Sequence, residues 1–357
     1  MSLSSIGKFI DAQTTQEKAD AIVELENQYG NQYSPEFFQN IRSSDEWNGN
    51  LQKQCLDRYL NDRQEELDYI KRDFLNDFKS SWDQDWEEPN EEENIKFFYN
   101  SMMMVVVQNI GGDITSIVDQ VISMAKSDDT GGFRNCGNQI MINHQQYFVD
   151  RFDDIIEIMS QEGFGEYPYR IGSVFNYVID HDESACLSAV NCLATSKNNA
   201  LIGNILLALS SRKDFPDLFD EHIVKVVKNK TEETKSIAIT VVGIKPKLAR
   251  SLEEELWLGL SDEQWFIRGN SAYACGNTQL SPDRFIPKLM ELVLDFEGHD
   301  WCAGQRAIEA LGKYGKLAVS ALPTIEMAKK KWLKENDYDT EYFIKICEEA
   351  KLLIRDA

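Results

Sequence analysis

Four histidines, seven cysteines and two glycine-rich runs are the residues of this chain whose types suit catalysis or metal binding. The histidines are His144, His181, His222 and His299; none stands near another His or a Cys at the short interval with which closed zinc sites are spelled. His181-Asp182-Glu183 is the densest local group. At a helix start its carboxylates would answer the positive end of the helix dipole, so capping is the expected role. Cys136 and His144 offer a thiol and a base, but nucleophilic catalysis also needs a group to orient the base, and none is spelled nearby. Gly111-Gly112-Asp113 and Gly131-Gly132-Phe133-Arg134-Asn135-Cys136-Gly137 invite a phosphate-cradle reading. A P-loop ends in Gly-Lys-Ser/Thr and opens a helix after a strand; neither run has that ending, and a polar surface loop carrying Arg134 is expected instead. Carboxylates are so plentiful that some pair must fall at a glycosidase separation by chance, which singles out none. No catalytic residue, metal ligand or cofactor is expected.

The acidic tract WDQDWEEPNEEE (82–93) points to binding rather than to chemistry. Trp82 and Trp86 are candidate anchors, with Asp83, Asp85, Glu87 and Glu88 positioned to meet Lys or Arg on a partner, as aromatic anchors ringed by charge do at hot spots. The plain alternative is a solvated linker. Pro89 removes a donor and restricts Glu88, so the tract cannot remain one regular helix.

The charge balance agrees. The chain has 357 residues, 37 basic against 60 acidic, a net charge of −23. Residues 1–160 hold 13 Lys and Arg against 30 Asp and Glu, hence −17, and the remainder 24 against 30, hence −6. Such a field repels phosphate backbones and anionic lipid and attracts basic proteins, so direct nucleic-acid and membrane partners are disfavoured. Scattered cysteines in odd number suit a reducing compartment. With no apolar signal core at the N-terminus, a cytoplasmic location is expected. The stretch Phe97 to Ile110 is broken by Asn100, Ser101, Gln108 and Asn109, falls short of the roughly 20 residues of a bilayer span, and reads as a buried core helix.

The elements that must position these residues are helices. Scarce Pro (8) and Gly (20) disfavour a turn-rich β fold. Apolar spacing predicts helices near 16–28, 45–78, 95–109, 113–126 and 145–161, with Ile140-Met141-Ile142-Asn143 the only strand candidate. From about Tyr167 similar phrases return at a fixed interval. DEQWFIRGNSAYACGN (262–277) aligns with GHDWCAGQRAIEALGK (298–313), matching Trp265 to Trp301, Ala274 to Ala310 and Gly276 to Gly312; Val242-Gly243 and Leu209-Ser210 precede them at similar steps. Each phrase is followed by a second amphipathic segment, at 217–227, 249–260, 283–295 and 319–332, and a charged helix at about 341–354 suits an end cap.

The phrases Asp262…Trp265-Phe266-Ile267-Arg268…Ala274-Cys275-Gly276 and Arg306-Ala307-Ile308-Glu309-Ala310-Leu311-Gly312, with Ala321-Leu322-Pro323 opening a second helix, resemble HEAT-like repeats of the phycobilisome-lyase type over about residues 184–335. Gly304 departs from the pattern, which expects Arg there. The resemblance implies an α-solenoid of helix pairs; with the periodicity and charge already read, the expected fold is all-α, the solenoid (166–357) following an acidic helical region (1–165) to which the resemblance does not extend, itself either divergent repeats or a separate domain. Two-helix units have apolar faces on both sides and must stack, with Ala and Gly letting helix axes approach; Trp265, Ala274 and Gly276 therefore read as core architecture.

A solenoid offers the second helices as a binding surface. Its polar positions here are Asp220, Glu221, Glu254, Glu255, Glu291 and Asp295, interspersed with Lys225, Arg250, Arg284 and Lys288. The expected function is a non-catalytic protein-binding solenoid, adaptor or inhibitor, whose acidic surface meets a basic protein, including the immunity-type inhibition of a toxin; a monomer is expected. The alternatives are a HEAT-like enzyme, such as a DNA glycosylase or chromophore lyase, and a structural scaffold.

Overall fold

The computed structural model describes residues 4–31, 34–62, 91–109, 111–127, 133–161, 171–229, 232–294, 301–335 and 340–356. Among them there is no strand, and the chain is all-α. It divides into two compact units, Met1–Ile158 and Met159–Ala357. No helix among the described residues is long and apolar enough to cross a membrane.

The first unit is built from α1 (Ser5–Asp11), α2 (Thr15–Tyr29), α3 (Pro35–Ser43), α4 (49–62), α5 (Glu91–Gln108), α6 (Val118–Ala125), α7 (Phe133–Asn143) and α8 (Phe152–Gln161), the last crossing the division. Local chemistry sets the starts. Thr14 and Glu17 form a reciprocal capping box on α2, and Ser34 caps α3 ahead of Pro35 at its first position. Asn48 Oδ1 accepts from the Asn50 and Leu51 amides, so α4 begins later than the apolar spacing from Asp45 implies. The remainder of that expected helix, to Phe78, lies outside the described residues.

Four expectations are corrected in this unit. The strand candidate Ile140–Asn143 is the last turn of α7, because Phe133, Cys136, Gly137, Ile140 and Met141 are buried at a spacing of three and four rather than two. The same helix absorbs the end of the expected polar loop. A Cβ on Gly137 would meet the Ala125 amide nitrogen at 2.6 Å, so this glycine admits the backbone of α6 rather than a ligand. Helix α5 is not buried all round. Tyr99, Met102, Met103, Val106 and Val107 face inward, Tyr99 donating to Phe9 O at 2.6 Å, while Phe97 and Phe98 are exposed. The expected helix 145–161 divides into a short 3-10 turn, Gln145–Phe148, and α8, whose first turn carries Asp153 and Asp154 where carboxylates suit the dipole.

The second unit is an array of helix pairs. The first helices are α9 (Gly172–His181), α11 (Asn199–Ser210), α13 (Glu232–Val242), α16 (Trp265–Thr278) and α18 (Trp301–Tyr314); each packs on the next. Their partners are α10 (Glu183–Thr195), α12 (Asp220–Asn229), α14 (Pro246–Ser251) with α15 (Glu253–Gly259), α17 (Pro282–Leu294) and α19 (Leu322–Glu335). The last helix, α20 (Thr340–Asp356), packs on α18 where another first helix would stand. The expected single helix 249–260 breaks at Leu252, and Glu253, Glu254 and Glu255 open α15 in the turn where the dipole favours them.

Small residues set the stacking distance. Added Cβ atoms on Gly243, Gly276 and Gly312 would lie 2.9, 2.5 and 3.0 Å from Ala274, Ala310 and Ala350 Cα respectively, and one on Gly172 would lie 3.3 Å from Ala208 Cβ. At four of the five first helices, α11 being the exception, a glycine on the helix or just after it thus faces an alanine of the next, and the backbones approach closely there.

The signature arginine also has a structural task. Arg268 is buried, and its guanidinium donates to the carbonyls of Asp262 and Glu263 at 2.7 and 3.0 Å, clamping the loop that enters α16. Arg268→Met keeps the stem but removes these donors and is expected to cost about 2 kcal/mol, read from denaturant unfolding.

A carboxylate ties down the cap. Glu348 accepts from Lys329 at 2.7 Å and Lys351 at 2.8 Å, and Lys351 also reaches Glu326 at 2.7 Å. The two lysine hydrogen bonds bring the Glu348 carboxyl down to about 2. The folded state therefore binds this proton more weakly than the unfolded chain, whose glutamates titrate near ~4.3. The stabilisation is complete above roughly pH 5 and fades as pH falls toward about 2. Backbone hydrogen exchange in 340–356 should accelerate between about pH 5 and pH 3 beyond the intrinsic pH effect, and Glu348→Gln should remove most of that excess.

Candidate functional site

The outward faces of the two layers differ in kind. On the first helices the outward polar groups are spent on neighbouring repeats. Asn176 donates to Ala208 O, Arg212 holds Asp180, Asn270 donates to Ser236, and Gln279 reaches Lys313 O. Lys313 and Arg306 also lie over the Tyr273 ring, at 5.0 and 5.4 Å.

The second-helix layer exposes apolar side chains. Leu187 on α10, Leu218 in the turn before α12, Leu258 on α15, Leu294 on α17, and Met327 and Leu333 on α19 are all exposed, whereas the first helices from α9 to α18 expose only Trp265 among their large described apolar residues. Helix packing holds neighbouring axes about 8–10 Å apart, so one such residue per pair makes a series rather than isolated points.

Charge accompanies the series. Glu221 pairs with Lys225 at 2.7 Å, Asp220 and Asp217 with Lys245 at 3.1 and 2.6 Å, Glu255 with Lys228 at 3.0 Å, Glu254 with Arg284 at 2.7 Å, and Glu291 with Lys288 at 2.7 Å. Lys228–Glu255 ties α12 to α15, and Arg284–Glu254 ties α17 to α15. Arg284 also lies 4.7 Å over the Trp257 ring, which meets Phe285 edge-on at 5.7 Å. Between α15 and α17 a concavity of about 280 Å³ is lined by Leu260, Ser261, Asp262, Arg268, Lys288, Glu291 and Leu292.

The sequence candidates Asp220, Glu221, Glu254, Glu255, Arg284 and Glu291 therefore do lie on one layer, but each already has a partner of opposite charge within the chain. The surface is of mixed charge, and its apolar residues are the groups least satisfied within the chain. Trp257, Leu258 and Met327 were not selected from sequence; the signal was an aromatic-leucine pair following three glutamates in LEEELWLGL. Trp82, Asp83, Asp85, Trp86, Glu87, Glu88 and Asp295 lie outside the described residues, as does His299.

The chemical candidates come apart in the structure. Cys136 is fully buried on α7 and burial pushes its thiol up, opposite to the depressed value a nucleophile needs. The Cys275 thiol is likewise raised, and Cys55 is pushed up to about 12. Asp182 caps α10, accepting from the Ser184 amide at 2.8 Å, and the His181 ring stacks on Tyr177 at 3.9 Å. Gly112 has φ of 81°, a turn conformation, and Asp113 accepts from the Thr115 amide and hydroxyl. Among the described residues no three His, Cys, Asp or Glu side chains come together to hold a metal ion.

No family model matches this chain, and no curated protein is similar to it in sequence. A solved structure of Kap95p with RanGDP, concerned with nuclear import complex assembly, aligns with a TM-score of 0.51 at 12% identity, over 98% of this chain and 50% of the matched chain. This chain thus spans about half the length of the chain it matches. At that identity the likeness speaks for the fold alone: the stacked helix pairs are a HEAT-like α-solenoid.

Proposed function

We propose that the chain is a non-catalytic, protein-binding solenoid that receives its partner on the second-helix layer. The observation that carries this reading is the series of exposed apolar residues, Leu187, Leu258, Leu294 and Met327, on α10, α15, α17 and α19, with Leu218 in the turn before α12, where the first helices present groups already bonded to one another. A partner covering the series removes apolar area from water at roughly 25 cal/mol per Å² and leaves the flanking ion pairs to fix orientation. The matched solved structure is itself of a protein bound to a protein, which supports the reading by analogy of fold.

The net charge of −23 favours a basic partner. An inhibitor of a basic toxin or nuclease, in the manner of immunity proteins, is the sharpest form of this proposal, and the charge is its support. The repeat phrases favour the phycobilisome-lyase type of HEAT repeat, and Arg268's clamp on Asp262 and Glu263 gives that type's Asp and Arg a structural task, with Gly304 lacking it in the next pair.

The test compares partner capture from the native cell by the unaltered chain and by Leu258→Glu, followed by titration of the captured protein. A loss of tenfold or more, about 1.4 kcal/mol, is expected for the variant. Capture of nucleic acid alone, or base release from an alkylated duplex, would contradict the proposal.

A further inference from the structure

The charge of the second-helix layer changes sign along the array. The pair formed by residues 301–335 has seven Lys and Arg against three Glu, in a chain that is otherwise strongly acidic. On α19 the buried side is Thr324, Ile325, Ala328 and Trp332. The opposite side places Pro323, Met327, Lys330 and Lys334 at steps of four, three and four residues, one exposed helical stripe. Leu317 and Val319, in the 3-10 turn Gly315–Ala321 that leads into α19, are exposed as well, beside Lys316.

The cations here are not matched as they are on α12 and α17. Lys329 is engaged by Glu348, whereas among the described residues no carboxylate stands at ion-pair distance from Lys316, Lys330 or Lys334. The surface thus combines apolar side chains with lysines that no described carboxylate pairs at ion-pair distance, and Met327 supplies an adaptable contact.

We propose that this α19 face docks an acidic amphipathic segment of a partner protein, one presenting leucine-like side chains flanked by Glu or Asp. Charge complementarity selects the sign, and the apolar residues between the lysines select a peptide over a bare polyanion. Size selects a short segment. Screening confines the lysines' field to about 8–10 Å at physiological salt, within which a helix-sized ligand meets mainly this patch. A duplex or a bilayer covers more surface and meets the glutamates of α15 and α17. The proposal rests on the second-helix layer being the docking face, and adds that its last helix prefers the opposite charge.

The test is fluorescence anisotropy with a labelled peptide of glutamate and leucine at helical spacing, against the full chain. Saturable binding is expected, weakened about tenfold or more by the double variant Lys330→Glu/Lys334→Glu and reduced by added salt. Met327→Glu should weaken it too, and Lys197→Glu, a matched charge reversal in the loop between α10 and α11, should not. These side chains are exposed, and unchanged thermal melting verifies that the variants fold. Absence of saturable binding, equal binding by the double variant, equal binding of the lysine-for-glutamate peptide, or tighter binding to phosphatidylserine vesicles or duplex DNA would overturn the proposal. If the double variant binds the acidic peptide unchanged while Leu258→Glu still loses the native partner, this inference falls and the docking face stands.

Discussion

Gly276→Ala is expected to destabilise the repeat unit by about 3 kcal/mol, a midpoint loss of roughly 10 °C for a domain of this size. The added methyl would lie 2.5 Å from Ala310 Cα and 2.7 Å from Ala310 Cβ. Neither atom belongs to a side chain that swings away, so α16 and α18 must separate, loosening the packing around buried Ile267, Cys275, Ile308 and Leu311. Gly269, also on α16, is the internal control. Its added Cβ would find Ala303 Cα and Arg306 Cγ at 3.6 Å, ordinary contact distance, and alanine is a better helix former than glycine. Gly269→Ala should therefore be neutral or stabilise by about 0.5–1 kcal/mol. Thermal and urea unfolding of the two variants side by side separates stacking from helix propensity. Equal effects at both positions would mean that close approach of the first helices does not hold the array together.

Phe343→Ala is expected to cost about 3–5 kcal/mol and to detach the terminal helix before the rest unfolds. Phe343 is buried on α20 and stacks on Trp332 of α19 with centroids 4.4 Å apart. Ile346, Cys347, Ala350 and Ile354 complete the buried stripe. This helix packs on α18 and α19, so losing its anchor exposes apolar surface built for stacking. Hydrogen exchange should show residues 340–356 opening first in the variant, with self-association on warming. Cooperative unfolding with no early opening of α20 would contradict a capping role.

The repeat architecture was legible because its cause is local and recurrent. Gly276 and Ala310 stand where a packing rule demands small residues, and that rule leaves the same letters at each interval. Helix starts at Thr14 and Ser34 are equally local. Boundaries were less legible where polar capping competes with apolar spacing, as at Asn48 and Leu252. Ile140–Asn143 misled because four residues are too few to tell period two from period 3.6.

The candidate site was half legible. Second helices could be assigned from sequence, but the fate of their charges could not, because Lys228 and Glu255, or Arg284 and Glu254, are neighbours only through stacking. A count of acids therefore overstates the charge offered to a partner, and the exposed leucines, which look like core letters in the sequence, carry the binding argument instead.

The central claim is that the second-helix layer docks a protein. Amide hydrogen exchange of the full chain, alone and saturated with its captured partner, tests it most directly. Slowed exchange concentrated on α10, α12, α15, α17 and α19, with α9, α11, α13, α16 and α18 unchanged, is the predicted result. Protection confined to the first helices, or none in residues 183–335, would contradict it.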